Sequence, residues 1–278
     1  MGEHIRGKVI VLTGAGGGFG RLISLKAAAM GARLVCSDID ADALSATVRQ
    51  IEDSQGQAIG QPTDVADAAQ MAALAQAAVE RFGRIDVMVN NAGVMPLAFY
   101  ADHMAAARHW DRCIDINIKG VLNGIVAVHD QMIAQGQGHI INISSIYGNF
   151  PVAGAGVYGA TKAAVNFLSE SLRVESQGKI KVTVVKPTGV PGTGLGGGIV
   201  NPAAIVGILG QNASPYLATM GAMASGGLSA GQTDPGSIAY AALSPDYIAD
   251  AVIHAIDQPW GVSVGDITIR ASGDGYIL

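Results

Sequence analysis

The chain has 278 residues, of which 49% are hydrophobic and only 14% charged, and its formal net charge is −5. That length suits a single large domain over residues 1–278, and an acidic balance without any basic run excludes nucleic acid as an expected partner. Charge far below the roughly 25% of ordinary soluble proteins implies a partly covered surface, most simply a homodimer or homotetramer.

Val9-Ile10-Val11-Leu12 is a continuous apolar run, as expected for a strand buried on both faces of a parallel sheet. It leads into Thr13-Gly14-Ala15-Gly16-Gly17-Gly18-Phe19-Gly20, followed by a helix pattern over Arg21–Met30. Strand, glycine-rich turn and helix form a phosphate-binding element. The glycines allow a tight turn and close backbone approach, and the helix start offers free N–H groups. The second strand, Arg33–Ser37, ends at Asp38. An acid there can accept hydrogen bonds from an adenosine ribose diol, or it can be a plain cap or loop acid.

Strands over Ala58–Gln61 and Val87–Val89 then alternate with helices over Ala41–Gln55, Ala66–Arg81 and His103–Ala134. A fifth strand, His139–Ile143, runs into Ser144-Ser145, and a helix spans Tyr158–Gln177. Tyr158 and Lys162 stand one turn apart on that helix, so they share a face. A neighbouring ammonium favours phenolate, which would bring the tyrosine down from about 10 towards working pH and make it a general acid or base. Alone, such a pair also arises by chance. Strands over Val182–Val185 and Ile267–Arg270 and a helix over Pro245–Gln258 complete the series. Strict alternation predicts an α/β Rossmann-type fold, a doubly wound parallel sheet of about seven strands with helices on both faces. Ligands then bind at the carboxyl ends of the strands, where strand order reverses.

Taken together these motifs resemble the short-chain dehydrogenase/reductase family in its compact single-domain branch. The TGxxxGxG pattern stands at Thr13, Gly14, Gly18 and Gly20, the adenine-contacting pair at Asp64-Val65, and the NNAG motif at Asn90-Asn91-Ala92-Gly93. The asparagine helix is matched around Asn117, the serine strand at Ser144-Ser145, and YxxxK at Tyr158 to Lys162. The resemblance runs in order from about Gly7 to Pro187, roughly two thirds of the chain.

The resemblance implies a dinucleotide site at Gly14, Gly18, Phe19, Gly20, Asp38, Asp64, Val65, Asn91, Tyr158, Lys162 and Val190. It implies Tyr158 as proton carrier, with Lys162 lowering its pKa and binding the nicotinamide ribose. Ser145 would hold the substrate oxygen, preferred to Ser144 because the family's spacing to the tyrosine fits it and adjacent strand residues face opposite sides. Asn117 would anchor a water in a proton relay, or be only a helix-kinking polar residue. A 2′-phosphate beside Asp38 would bring two anions together, and no cation stands at Gly16, Gly17 or Ile39, so NAD(H) is the expected cofactor. After the sixth strand the chain departs from the family pattern. It reads Pro187-Thr188-Gly189-Val190-Pro191-Gly192-Thr193, which leaves open the hydroxyl that meets the nicotinamide amide.

From Thr188 to Thr233 there is no Lys, Arg, Asp, Glu or His. The family resemblance makes this stretch, extended to about residue 237, a substrate lid, and an apolar oligomer interface is the other reading. An uncharged lid suits a small, neutral hydrophobic substrate, an aryl or steroid-like secondary alcohol or ketone, ahead of sugars, hydroxy acids or acyl carriers. The loops around Met95–Tyr100 and Tyr147–Val152 add aromatics and no cation. Cys36 and Cys113 make neither a disulfide framework nor a metal cluster, and six scattered histidines show no ligand spacing, so no metal site is expected. The short polar segment Met1 to Lys8 is no signal peptide, no membrane span is expected, and the cytoplasm is the expected compartment. Two other classes remain, a non-catalytic NAD-binding redox sensor or scaffold and an S-adenosylmethionine-dependent methyltransferase. Neither accounts for Ser145, Asn117, Tyr158 and Lys162 occurring together.

Overall fold

The computed structural model describes residues 2–277. Seven parallel strands lie in the order β3-β2-β1-β4-β5-β6-β7: β1 Val9–Thr13, β2 Arg33–Asp38, β3 Gln57–Pro62, β4 Val87–Asn90, β5 Gly138–Ile143, β6 Ile180–Pro187 and β7 Asp266–Ile269. Burial follows position in the sheet. All five residues of β1 and all six of β5 are buried, whereas β3 and β7, at the two edges, alternate between partial and full exposure. Every expected strand is present within one or two residues of its anticipated ends.

Helices cover both faces. On one side α1 (Gly18–Ala29) and α2 (Ala41–Asp53) bury Ile23, Leu44 and Ile51 against the β1 and β2 half of the sheet, and α9 (Pro245–Ile256) buries Val252 beside α1 over β6 and β7. On the other, α3 (Ala68–Phe82) buries Leu74 against β1 and β2, while α5 (Gly120–Ala134) and α6 (Gly156–Glu175) bury Val128 and Val165 against β4, β5 and β6. Asp40 and Asp67 cap α2 and α3 by accepting backbone N–H bonds of 2.8–3.1 Å, which explains where those helices start. Strand order reverses between β1 and β4, and the crevice opens above their carboxyl ends.

The helix expected over His103–Ala134 is one continuous rod, but not one uniform helix. It is α4 (His103–Ile114), a π-helical stretch Asp115–Lys119, and α5. The wider turn carries Asn117 inward, as such insertions do at functional sites. Residues 188–241 form the least regular part: 3₁₀ turns at Leu195–Gly198, Pro202–Ile208 and Gly210–Asn212, then α7 (Ala213–Ala224) and a single turn, α8 (Ala230–Thr233). Among the described residues no helix is long and apolar enough to cross a membrane.

Candidate active site

A cavity of about 810 Å³ lies over the carboxyl ends of the strands and joins the glycine-rich turn, Ser145, Tyr158, Lys162 and the irregular segment after β6. Its floor begins at the turn after β1. Gly14 sits at φ +70°, and a side chain at Gly20 would collide with the Gly14 carbonyl, so the turn can close only on glycine. Asn91 pins this turn from β4: its Nδ2 donates to the carbonyls of Thr13 and Gly14 at 2.9 and 3.1 Å, and its N–H donates to Thr13 Oγ1 at 3.1 Å. The Asn91 amide group thus holds the backbone that faces the cavity. Phe19, at the start of α1, lines the same wall.

Asp38 closes the adjoining end. One carboxylate oxygen accepts from Gly16 N–H at 2.8 Å and the other from Asp40 N–H at 3.0 Å, while the Ile39 side chain stands 59% exposed beside it. Asp64 is held by Ala66 N–H at 3.0 Å, and Val65 lies at its side, packed under Gly120. Arg21 is turned away, with its guanidinium on Thr47 and the Gly16 carbonyl. Arg112 is different. It lines the cavity from α4, exposed, one turn before Ile116, which packs with Val65 and Ala92. This cation belongs to neither the lid nor the two loops around Met95–Tyr100 and Tyr147–Val152, but to a helix face outside them.

Ser145, Tyr158 and Lys162 meet above β5. Ser144 donates to the Lys162 carbonyl at 3.1 Å and so braces α6, while the Ser145 hydroxyl accepts from Tyr147 N–H at 3.3 Å and stands against Tyr158. Lys162 Nζ donates to the Ile143 carbonyl at 2.9 Å and lies 5.8 Å from the Tyr158 ring centroid. Burial decides the electrostatics in a way that helical spacing could not reveal. It pushes the Tyr158 phenol up, opposed by Ser145, and pushes the Lys162 ammonium down to about 8. Burial thus disfavours the charged form of both groups.

Asn117 is fully buried. It accepts from Val94 N–H at 3.0 Å and donates to Val94 carbonyl and Thr161 Oγ1 at 2.9 and 3.1 Å. Its amide therefore ties the π turn to the segment after β4 and to α6, and does not itself reach Lys162. After β6, Val190 and Thr193 line the cavity, with Thr193 Oγ1 on the Val190 carbonyl at 3.4 Å. Thr188 lines it too, and its Oγ1 is buried with no hydrogen-bond partner among the described residues. An orphaned hydroxyl here, a cradle that excludes side chains and an acid at the end of β2 together fit a nicotinamide dinucleotide. No group of three or more His, Cys, Asp or Glu among the described residues could hold a metal.

The sequence profile of the short chain dehydrogenase family matches residues 8–203, well over half of the chain. An uncharacterized oxidoreductase of Listeria monocytogenes is 37% identical over 270 residues, covering 95% of this chain and 96% of that protein. A short-chain dehydrogenase/reductase of Burkholderia phymatum, solved with NAD, superposes with a TM-score of 0.74 at 29% identity, covering 95% of this chain and 89% of that one. A metagenomic short-chain oxidoreductase, solved with NADP, gives 0.72 at 30%, covering 96% and 98%. The chain therefore belongs to the short-chain dehydrogenase family and is an oxidoreductase.

Proposed function

We propose that this short-chain dehydrogenase interconverts a secondary alcohol and a ketone with NAD(H), on a neutral hydrophobic substrate of aryl or steroid-like bulk. The observation that carries the reading is the meeting of Tyr158, Ser145 and Lys162 in the same cavity as the glycine-rich turn. The nicotinamide ring, when bound, supplies or receives the hydride. The protein's own side chains handle everything else.

Ser145 donates to the substrate oxygen and holds it against Tyr158. During oxidation Tyr158 takes the hydroxyl proton, and during reduction it returns one. Lys162, on the same helix face, makes the phenolate tolerable in a buried site that otherwise opposes it. Asn117 acts at one remove: by fixing the Val94 segment and α6 it sets where Lys162 stands, a positioning role with any relayed water left to the backbone around it. Gly14, Gly18, Phe19, Gly20, Asp64, Val65, Asn91 and Val190 cradle the dinucleotide, with Thr188 the hydroxyl best placed for its amide. Asp38 selects NAD(H) over NADP(H), since a 2′-phosphate next to a carboxylate costs several kcal/mol at an effective dielectric of about 20. Residues 188 to about 237 act as the substrate lid.

The same reading takes the chain as one domain working in the cytoplasm as a homodimer or homotetramer. Exposed Leu122 and Val126 on α5 and Phe167 and Val174 on α6 offer the apolar face for that contact. Sedimentation at micromolar concentration checks it, and a strict monomer would refute it. The central test is a panel of secondary alcohols with NAD or NADP, followed by absorbance of the reduced cofactor. Turnover of neutral apolar alcohols with NAD is expected, and nicotinamide binding without turnover of any alcohol or ketone would overturn the reading.

A further inference from the structure

The cavity holds more hydroxyl groups than the proposed reaction uses. Beyond Ser145 and Tyr158, three phenols line it: Tyr147, Tyr216 and Tyr276. They come from unrelated parts of the chain, the loop after β5, α7 and the C-terminal segment. Tyr147 packs edge-on against Tyr158 with ring centroids 5.4 Å apart, and lies within electrostatic reach of both Tyr158 and Tyr216. The Tyr216 and Tyr276 rings are 5.6 Å apart, and their hydroxyls 3.1 Å.

Tyr276 is firmly seated. Ile277 N–H donates to the Ile208 carbonyl at 3.1 Å, Asn212 Nδ2 to the Gly275 carbonyl at 3.0 Å, and Arg270 to the Tyr276 carbonyl at 2.8 Å. The Tyr276 hydroxyl lies so close over Gly189 that any side chain there would collide with it. The C-terminal segment therefore straps the irregular segment down and delivers a phenol to the carboxyl end of β6, next to Thr188.

Counting protons shows what the cluster lacks. Each phenol has one proton to donate. The Tyr216–Tyr276 bond uses one of two, and neither the second proton nor that of Tyr147 has an acceptor among the described residues. Burial pushes Tyr147 and Tyr276 up, so both remain donors at neutral pH. Packing alone would be served by phenylalanine. We infer that Tyr147, Tyr216 and Tyr276 form a second recognition point, which binds a neutral hydroxyl or carbonyl oxygen that the substrate carries apart from its reacting carbon. The inference rests on the alcohol–ketone reading above and narrows its substrate class.

The test compares kcat/KM for a cyclic ketone with that for the same skeleton bearing a second hydroxyl or carbonyl. Wild type, Tyr216→Phe and Tyr276→Phe are each used, with thermal melts to confirm folding. Wild type should prefer the doubly oxygenated ketone by about tenfold or more, the value of one hydrogen bond lost from a buried donor. Each phenylalanine variant should bring that ratio towards one. A ratio unchanged in both variants, or a loss shared equally by both ketones, would assign the tyrosines a purely structural role and overturn the inference. Should a variant melt early, wild-type discrimination still decides: no preference between the two ketones refutes the second recognition point. If wild type reduces neither ketone with either cofactor, the alcohol–ketone reading itself falls; equal reduction of both sinks only this inference.

Discussion

The wall built by β1, β4, β5 and α6 and the wall built by residues 188–241 face each other across one cavity and are made of opposite materials. The first is regular, deeply buried and cross-linked by side chains: Asn91 to the glycine turn, Asn117 to Val94 and Thr161, Ser144 to the Lys162 carbonyl. The second is a chain of short 3₁₀ turns and one helix without a buried residue, uncharged from Thr188 to Thr233 and tied down by the loop after β4 and by the C-terminal segment. A wall that must hold a proton donor within hydrogen-bond reach needs rigidity. A wall that must only exclude water and match a shape does not. The comparison implies a division of labour. Substitutions in the first wall should slow every substrate alike, and substitutions in the second should reorder substrates.

The largest effect belongs to the first wall. Tyr158→Phe removes only the phenolic oxygen, and turnover should fall at least a hundredfold for all substrates while NAD affinity stays near normal. A residual kcat above about a hundredth of wild type would take the proton step away from Tyr158. Lys162→Met sharpens the point through pH. Alcohol oxidation needs Tyr158 deprotonated, and burial already pushes that phenol up. Removing the neighbouring cation raises it further, so the rising limb of kcat/KM against pH should move to higher pH, by roughly one unit or more. A limb that stays in place would mean that Lys162 binds cofactor without tuning the tyrosine.

The next effect sits beside the same wall, at the end of β2. Asp38→Ala with Ile39→Arg removes the repulsion of a 2′-phosphate and supplies a partner for it. The ratio of kcat/KM for NAD over NADP should fall about tenfold to a hundredfold. A wild-type protein already faster with NADP would refute the electrostatic argument for Asp38.

The two walls also differ in how far they can be read from sequence. Val9–Leu12 is apolar on every residue, so strand, burial and parallel pairing follow from composition alone, whereas His139–Ile143 also buries two polar side chains, His139 on Thr183 and Asn142 on Asn90 and Ser169. The glycine turn announces itself because a side chain is strained at Gly14's positive backbone angle and excluded at Gly20 by the Gly14 carbonyl. Proximity in space is harder. The i, i+4 spacing of Tyr158 and Lys162 predicts a shared face but not that both are buried, and burial reverses the expected direction of the tyrosine shift. Arg112 lies in an ordinary helical stretch, and only the docking of α4 brings it to the cavity. Tyr276 was invisible for a similar reason: nothing local to Gly273-Asp274-Gly275-Tyr276 says that it straps a segment sixty-odd residues earlier. The π turn at Asp115–Lys119 has no pattern of its own; it exists because Asn117 finds Val94 and Thr161 as partners.

The smallest effect tests the second wall directly. If residues 188–241 select substrates by apolar contact, a neutral aryl alcohol should exceed its carboxylated analogue in kcat/KM by about tenfold or more, because the carboxylate would enter a space lined by Leu195, Ile199 and Met220 with no cation on the lid to balance its charge. Arg112 is the complication, since it offers a cation from α4. Its exposure leaves it screened by solvent, so Arg112→Met should leave the neutral-over-anion ratio within about a factor of three. Met220→Lys should act differently. It places an ammonium on the lid's own surface and should shift the ratio towards the carboxylated analogue by roughly tenfold, with the NAD over NADP ratio and the pH limb where they were. A wild-type preference for the anion that disappears in Arg112→Met would show that the regular wall chooses the substrate as well as transforming it, and the division between the two walls would fail.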